Sequence, residues 1–185
     1  MKEIELRRHG AYQKGGLTPG ALTHEAQLEA RAVGKSMRTD FAAVWFSPAQ
    51  RAAETAAWFL RGSRQPPPPV LTEVPGLTSE REDEWREAGS AASSSRLDSV
   101  MEQNPGLVTE ESERMAGLVR ELFGRLKDGE AALVVGHTPL LEAAVYGLTS
   151  VIVEPLKELE GVNMTLDDAG DFRIQELRLP AADAN

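Results

Sequence analysis

Two arginines and two histidines stand at or just beyond the ends of three runs of residues that predict β-strands. Arg8 and His9 close the first run, Arg51 follows the second within a few residues, and His137 follows the third after one glycine. In an open α/β sheet, ligands bind outside the carboxyl ends of the strands. Guanidinium groups match the geometry of phosphate oxygens, and an imidazole can act as a nucleophile. These residue types therefore predict a pocket for a phosphoryl group with one histidine free to attack phosphorus.

The elements that must position these side chains alternate along the chain. Residues 3–8 alternate apolar and charged side chains, and 41–46 and 131–135 are short apolar runs, so each predicts a strand. Start signals predict helices over about 23–37 and 109–127, each opening on a threonine. The alternation predicts a three-layer α/β sandwich, in which helices cover both faces of a mostly parallel central sheet.

The length and composition of the chain predict a single domain over residues 1–185. The 185 residues are 41% hydrophobic and 26% charged, as in ordinary globular proteins. Residues 76–104 are the least regular part, with several acidic residues, Trp85 and a serine-rich run. We interpret this segment as a partly helical lid over one end of the sheet; a disordered surface insertion is the equal alternative.

Charge and cysteine content exclude several classes of function. The net charge of -9 argues against sequence-independent binding of nucleic acid, which depends on basic patches. The absence of cysteine excludes disulfides, thiolate catalysis and cysteine metal sites. The chain leads directly into its first strand, and no apolar stretch approaches the ~20 residues that span a bilayer. We therefore expect a cytoplasmic protein that binds neither membranes nor nucleic acid.

Three blocks of the sequence resemble, in order and in context, those of the histidine phosphatase superfamily, also called the phosphoglycerate mutase-like family. The blocks are Arg8-His9-Gly10, Ser47-Pro48-x-x-Arg51-Ala52-x-x-Thr55 and Gly136-His137. Between the first two, Leu22-Thr23 followed by Glu29-Ala30 is similar to another segment of the family. The resemblance covers most of the chain and implies the phosphoglycerate mutase-like form of the sandwich.

The resemblance also implies a reaction, which is phosphate hydrolysis through a phosphohistidine intermediate. His9 would attack phosphorus in line, while Arg8, Arg51 and His137 would bind the non-bridging oxygens. Water would then hydrolyse the phosphohistidine. No metal or other cofactor is implied, because the positive side chains take the place of a metal ion. The substrate would be a small phosphorylated molecule or a phosphoprotein.

The leaving oxygen needs a proton, which a carboxylic acid usually supplies. Glu73 in Leu71-Thr72-Glu73 has the position of the Leu-x-Glu segment of the family, and the resemblance makes it the predicted general acid. In the second step Glu73 would act as the general base for water. The acidic neighbourhood that follows holds four rival candidates, namely Glu80, Glu82, Asp83 and Glu84.

One departure from the family pattern leaves the activity open. Ala11-Tyr12 replaces the Glu/Gln-Thr/Ser pair that usually follows the signature, so the Tyr12 hydroxyl or backbone amides at Gly15-Gly16 are the candidate replacement ligands. The alternatives are a phosphohistidine-protein phosphatase, a mutase-type phosphotransferase that returns the phosphoryl group to its substrate, and a phosphate-binding or phosphoprotein-binding module with negligible turnover. Periodicity and motifs do not predict the oligomeric state.

Overall fold

The protein is built around one mixed sheet in the computed structural model, which describes residues 1–15, 20–64 and 69–180. The strands are β1 (Lys2–Arg8), β2 (Phe41–Phe46), β3 (Leu71–Glu73), β4 (Ala131–Gly136), β5 (Gly161–Leu166) and β6 (Phe172–Leu177). Their order across the sheet is β3-β2-β4-β1-β5-β6. Strands β1 to β4 pair in parallel, whereas β5 and β6 extend the sheet with antiparallel pairing. This arrangement confirms the prediction of a mostly parallel central sheet.

Helices cover both faces of the sheet, as predicted. They are α1 (His24–Gly34), α2 (Gln50–Ser63), α3 (Glu82–Ala91), α4 (Leu97–Gln103), α5 (Pro105–Gly124) and α6 (Leu140–Thr149). The sheet has a hydrophobic core on each face, and successive residues of β4 point into one core and then the other. Leu133 and Val135 pack with α1 and α2, whereas Ala132 and Val134 pack with α3 to α6. Within the described ranges, none of the helices combines the length and apolarity needed to cross a bilayer.

Helices α1 and α2 cross at a pair of glycines. A Cβ atom on Gly34 would lie 2.2 Å from the carbonyl oxygen of Phe59, and one on Gly62 would lie 2.2 Å from that of Arg31. Contacts this close leave no room for a side chain, so only glycine permits the approach of the two backbones. The crossing fixes the direction of α2, whose first turn carries Arg51.

Side-chain caps mark the starts of two helices, α1 and α5. Thr23 Oγ1 accepts a hydrogen bond from the Ala26 amide at 3.1 Å, which confirms the predicted N-cap of α1. The predicted start of α5 at Thr109 is wrong, because Asn104 caps the helix by accepting from the Leu107 amide and Pro105 occupies its first turn. An Asn-Pro pair supplies both an N-cap acceptor and a pre-set φ, so the helix begins earlier.

Strand β1 buries a pair of charged residues at the centre of the sheet. Glu5 and Arg7 are both buried, and Arg7 Nε donates to Glu5 Oε1 at 2.6 Å. Arg7 Nη1 donates further to the carbonyl oxygen of Leu159. Central parallel strands are usually apolar on both faces. The pairing explains how β1 carries charged residues inside the sandwich.

Residues 76–104 fold onto the core that contains α5. The segment holds the end of a 3₁₀ turn (Pro75–Leu77) and helices α3 and α4. Trp85 and Ala88 of α3 and Leu97 and Val100 of α4 are buried in that core. Burial of one face of each helix holds both helices in place. The function of the segment as a lid stays a prediction.

Candidate active site

The carboxyl ends of three neighbouring strands meet at one pocket of about 340 Å³. His9 follows β1, Ser47 follows β2 and His137 follows β4, and β4 lies between the other two strands. Four of the five site residues predicted from the sequence line the pocket, namely Arg8, His9, Arg51 and His137. Parallel pairing therefore brings together side chains that are more than a hundred residues apart in the sequence.

The His9 imidazole is held with one nitrogen free for chemistry. The side chain is 6% exposed, and its Nδ1 lies 2.8 Å from the carbonyl oxygen of Gly10. A carbonyl can only accept a hydrogen bond, so Nδ1 carries the proton and Nε2 carries the lone pair. Arg51 Nε donates to that Nε2 at 3.1 Å. Nε2 is thus the His9 nitrogen with a lone pair that can form a bond to a ligand, and it lies beside a fixed positive charge.

His137 faces His9 across the pocket, with the ring centroids 5.0 Å apart. Its Nε2 lies 2.5 Å from Ser47 Oγ, and its Nδ1 lies 3.4 Å from Arg51 Nη2. Because a guanidinium only donates, Nδ1 is the acceptor, and Nε2 carries the proton that is donated to Ser47 Oγ. Arg51 thus contacts one nitrogen of each imidazole.

Two contacts fix Arg51 in place at the start of α2. Its guanidinium lies over the ring of Tyr12, with the carbon 4.4 Å from the ring centroid. Thr55 Oγ1 donates to the Arg51 carbonyl at 2.7 Å and accepts from the Gly10 amide at 3.1 Å. The second sequence block therefore ties α2 to the loop that carries His9. Tyr12 contributes its ring to the site, and Gly16 lies outside the described residues.

Arg8 reaches the pocket from the last residue of β1. Its Nη1 donates to the carbonyl oxygen of Leu156 at 2.7 Å, while its buried Nε has no hydrogen-bond partner among the described residues. The backbone of Arg8 is also bound on both sides, since its amide donates to the Glu160 carbonyl and its carbonyl accepts from the Leu159 amide. The guanidinium is anchored at one nitrogen and keeps donors for a ligand.

Burial and the neighbouring cations keep both imidazoles neutral. Burial lowers the pKa of His9 to about 4, assisted by the charges of Arg51 and Arg8. Burial likewise lowers the pKa of His137 to about 3, with further contributions from His9, Arg51 and Arg8. At neutral pH the His9 lone pair is therefore available for attack. A phosphate dianion in the pocket would oppose these effects and favour a protonated His137 that donates to a phosphoryl oxygen.

We expect neither His9 nor His137 to become protonated between about pH 8 and 5 in the unliganded protein, since both pKa values lie below that range. The measurement is an NMR titration of the imidazole Cε1 protons, assigned with His→Ala variants. The NMR titration is preferable to measuring how the reaction rate depends on pH, because a phosphomonoester substrate itself titrates near pH ~6. Inorganic phosphate should raise the midpoint of His137. A midpoint near the ordinary histidine pKa of ~6.5 for either residue would contradict this electrostatic picture.

The fifth predicted site residue is not brought to the pocket. Glu73 is exposed at the end of β3, the edge strand, and is absent from the pocket lining. Glu82, one of its four rivals, does line the pocket from the first turn of α3. The others are placed elsewhere: Asp83 pairs with Arg86, Glu84 pairs with Arg81, and Glu80 lines a different cavity.

The pocket wall that α3 and the preceding residues contribute belongs to the segment interpreted from the sequence as a lid, but sequence reasoning named only Glu82 and Trp85 among the residues of this wall. Besides Glu82 and Trp85, this wall contains Thr78, Ser79 and Arg86. The burial of Trp85 in the core draws α3 over the strand ends. No spacing in the sequence marks such residues, because their position depends on packing between distant segments. Trp85 and the acidic run that contains Glu82 were the signals for this wall in the segment.

Comparison with known proteins supplies independent information. The family model of the histidine phosphatase superfamily (branch 1) matches residues 3–167. A phosphoglycerate mutase from Bacillus anthracis str. Sterne aligns with a TM-score of 0.70 at 18% identity, covering 95% of this chain and 92% of that chain. No curated protein matches this chain.

Two further solved structures are similar to this chain. A phosphoserine phosphatase from Entamoeba histolytica, in complex with 3-phosphoglyceric acid, aligns with a TM-score of 0.69 at 14% identity over 97% of this chain and 98% of that chain. The protein histidine phosphatase SixA, complexed with tungstate, aligns with a TM-score of 0.59 at 19% identity over 95% of this chain and 96% of that chain. At these identities the structural likeness establishes the fold alone.

Proposed function

Because this chain belongs to the histidine phosphatase superfamily, we propose that it is a phosphatase that hydrolyses phosphomonoesters through a phosphohistidine on His9. One observation carries the proposal: Arg51 contacts His9 Nε2 at 3.1 Å and His137 Nδ1 at 3.4 Å inside one pocket. A neutral nucleophile, a fixed cation and a second imidazole thus surround a space suited to a phosphoryl group. Phosphatases and mutases both occur among the structural relatives.

The first step transfers the phosphoryl group to the enzyme. The lone pair of His9 Nε2 forms a bond to phosphorus while the ester P–O bond breaks, and the leaving oxygen takes a proton from a carboxylic acid. Charge on the three equatorial oxygens is stabilised by the guanidinium groups of Arg8 and Arg51. His137 would donate to one of these oxygens once phosphate binding has raised its pKa.

The second step releases phosphate. Water attacks phosphorus and the P–N bond breaks, which returns the lone pair to His9 Nε2. The carboxylate that gave up its proton in the first step accepts one from the water. The hydrogen bond between His9 Nδ1 and the Gly10 carbonyl keeps the ring in one orientation and one tautomer throughout the cycle.

Glu82 is our candidate for the proton donor, because it is the one carboxylate among the described residues that line the pocket. We expect Glu82→Gln to lower kcat for an alkyl phosphate by about 10²-fold or more, since an alkoxide is a poor leaving group without a proton. With p-nitrophenyl phosphate, whose leaving group needs little assistance, the loss should be much smaller. The measurement is kcat for both substrates at a fixed pH.

Glu73→Gln is the matched control for this comparison, because Glu73 has the same chemistry outside the pocket lining. We expect its alkyl phosphate activity to stay within about twofold of wild type. The opposite pattern, with a large loss in Glu73→Gln and none in Glu82→Gln, would return the acid to the position predicted by the family resemblance. Dispensability of both carboxylates would favour a phosphohistidine substrate, whose leaving nitrogen needs less acid assistance.

The proposal is tested by hydrolysis of p-nitrophenyl phosphate in the presence of EDTA, followed by quenched-flow analysis. Sustained release of both nitrophenol and phosphate is the expected result. A burst of nitrophenol with slow release of phosphate would instead assign the mutase-type alternative, because the phosphoryl group would remain on His9. Phosphate binding without any turnover would assign the binding-module alternative.

A further inference from the structure

A second, smaller cavity of about 170 Å³ adjoins the phosphoryl pocket. The two spaces share four wall residues, namely Arg8, Trp85, Thr138 and Pro139. A group attached to a phosphoryl moiety in the first pocket would therefore have this side cavity beside it. Val100, Pro155 and Leu156 supply an apolar part of its wall.

Glu142 is the carboxylate in the wall of the side cavity. It lies in the first turn of α6 and is only 4% exposed. Its Oε1 accepts a hydrogen bond from the Leu156 amide at 3.0 Å, but its buried Oε2 has no partner among the described residues. The nearby Arg8 guanidinium donates through Nη1 to the Leu156 carbonyl and makes no hydrogen bond to Oε2, and its own buried Nε also lacks a partner among the described residues.

A buried carboxylate oxygen without a donor is costly, so such groups are rare in folded proteins unless a bound species completes them. Burial raises the pKa of Glu142 to about 7, even though the charges of Arg8 and Arg178 act in the opposite direction. A ligand with a hydrogen-bond donor would complete Oε2, and a positive charge on that ligand would offset the cost of burying the ionised carboxylate. An ammonium group does so, since charge-assisted hydrogen bonds are the strong ones.

We propose that the side cavity is a subsite for the leaving group of the substrate and that Glu142 selects phosphomonoesters whose alcohol carries a primary ammonium group. The phosphoryl group would occupy the site of His9 and Arg51, the methylenes would pack on the apolar wall, and the ammonium would donate to Glu142 Oε2. This inference rests on the proposed function, because it takes the His9 pocket as the phosphoryl site.

The test measures binding in His9→Ala, which prevents turnover, by calorimetry. The probes are aminoalkyl phosphates of increasing chain length and alkyl phosphates in which a methyl group replaces the ammonium. We expect the aminoalkyl phosphate to bind at least about tenfold more tightly at one chain length, because only it can donate to Glu142. The additional change Glu142→Gln should abolish this preference. The neutral amide of glutamine carries no charge, so its oxygen accepts a weaker hydrogen bond from an ammonium group than a carboxylate does.

The ratio of the two affinities isolates the subsite from other effects of the substitution. Leu156 donates to Glu142 and also accepts from Arg8, so a disturbed Glu142 could weaken phosphate binding. Such a change would affect both ligands of a pair equally and leave the ratio unchanged. Glu5→Gln is the matched control, because Glu5 is also a buried carboxylate but lines none of the cavities around the site. It should retain the preference.

A second measurement leaves Glu142 unaltered. Near pH 7 a binding ammonium should drive ionisation of Glu142, so the aminoalkyl phosphate should release more protons on binding than its alkyl partner. Calorimetry in buffers of different ionisation enthalpy measures this difference.

Equal affinities at every chain length, with equal proton release, would overturn the subsite while His9-dependent hydrolysis of p-nitrophenyl phosphate still supports the proposed function. Failure of all the phosphates to bind, with no hydrolysis by the wild type, would overturn both.

Discussion

Replacing His9 with alanine is expected to lower kcat for p-nitrophenyl phosphate by at least about 10³-fold, the scale of loss when an enzyme loses its nucleophile. The reason is geometric, because His9 lines the pocket and its Nε2 carries the lone pair, to which Arg51 Nε donates until a phosphoryl group takes its place. The wild-type rate should be insensitive to EDTA.

His24→Ala is the matched control for this substitution. His24 is the third histidine of the chain and is exposed at the first position of α1, away from the pocket lining. Its loss should leave kcat unchanged within about twofold. Undiminished turnover in His9→Ala would exclude His9 as the nucleophile. Trapping of a phosphorylated wild-type protein, absent in His9→Ala, would provide the direct positive result.

Loss of Arg51 should have the second largest effect, lowering kcat/KM by about 10²- to 10³-fold in Arg51→Ala. The guanidinium contacts both imidazoles and supplies charge where the transition state gains it. Arg51→Lys should recover little of this loss, because one ammonium cannot replace a planar fork that contacts His9 and His137 together. Steady-state kinetics of the three proteins measure the effect.

A second readout separates this electrostatic function from simple structural damage. The charge of Arg51 lowers the pKa values of both His9 and His137, so Arg51→Ala should raise both midpoints in the NMR titration. Arg61→Ala is the control on the same helix, because Arg61 lies over Trp58, with its guanidinium carbon 4.6 Å from the ring centroid, and is absent from the pocket lining. Full activity in Arg51→Lys would contradict the need for a bidentate group.

The two candidate proton donors differ in how the sequence and the structure place them. Glu73 has the expected position in the sequence and ends a strand at the same edge of the sheet, yet its strand is the edge strand and its side chain is exposed. Glu82 comes from an acidic run in which the sequence offered four rival candidates and did not choose among them. It reaches the pocket because Trp85, three residues later on the same helix, is buried.

The amino-acid sequence by itself determined the sandwich and the four residues Arg8, His9, Arg51 and His137. This was possible because periodicity is local, because parallel strands place their carboxyl ends at one edge of the sheet, and above all because three sequence blocks resemble those of a known family. The tertiary structure alone decided the strand order, the wall contributed by α3 and the unpartnered oxygen of buried Glu142. These features arise from packing between segments far apart in the chain, where burial depends on neighbours that no local pattern identifies.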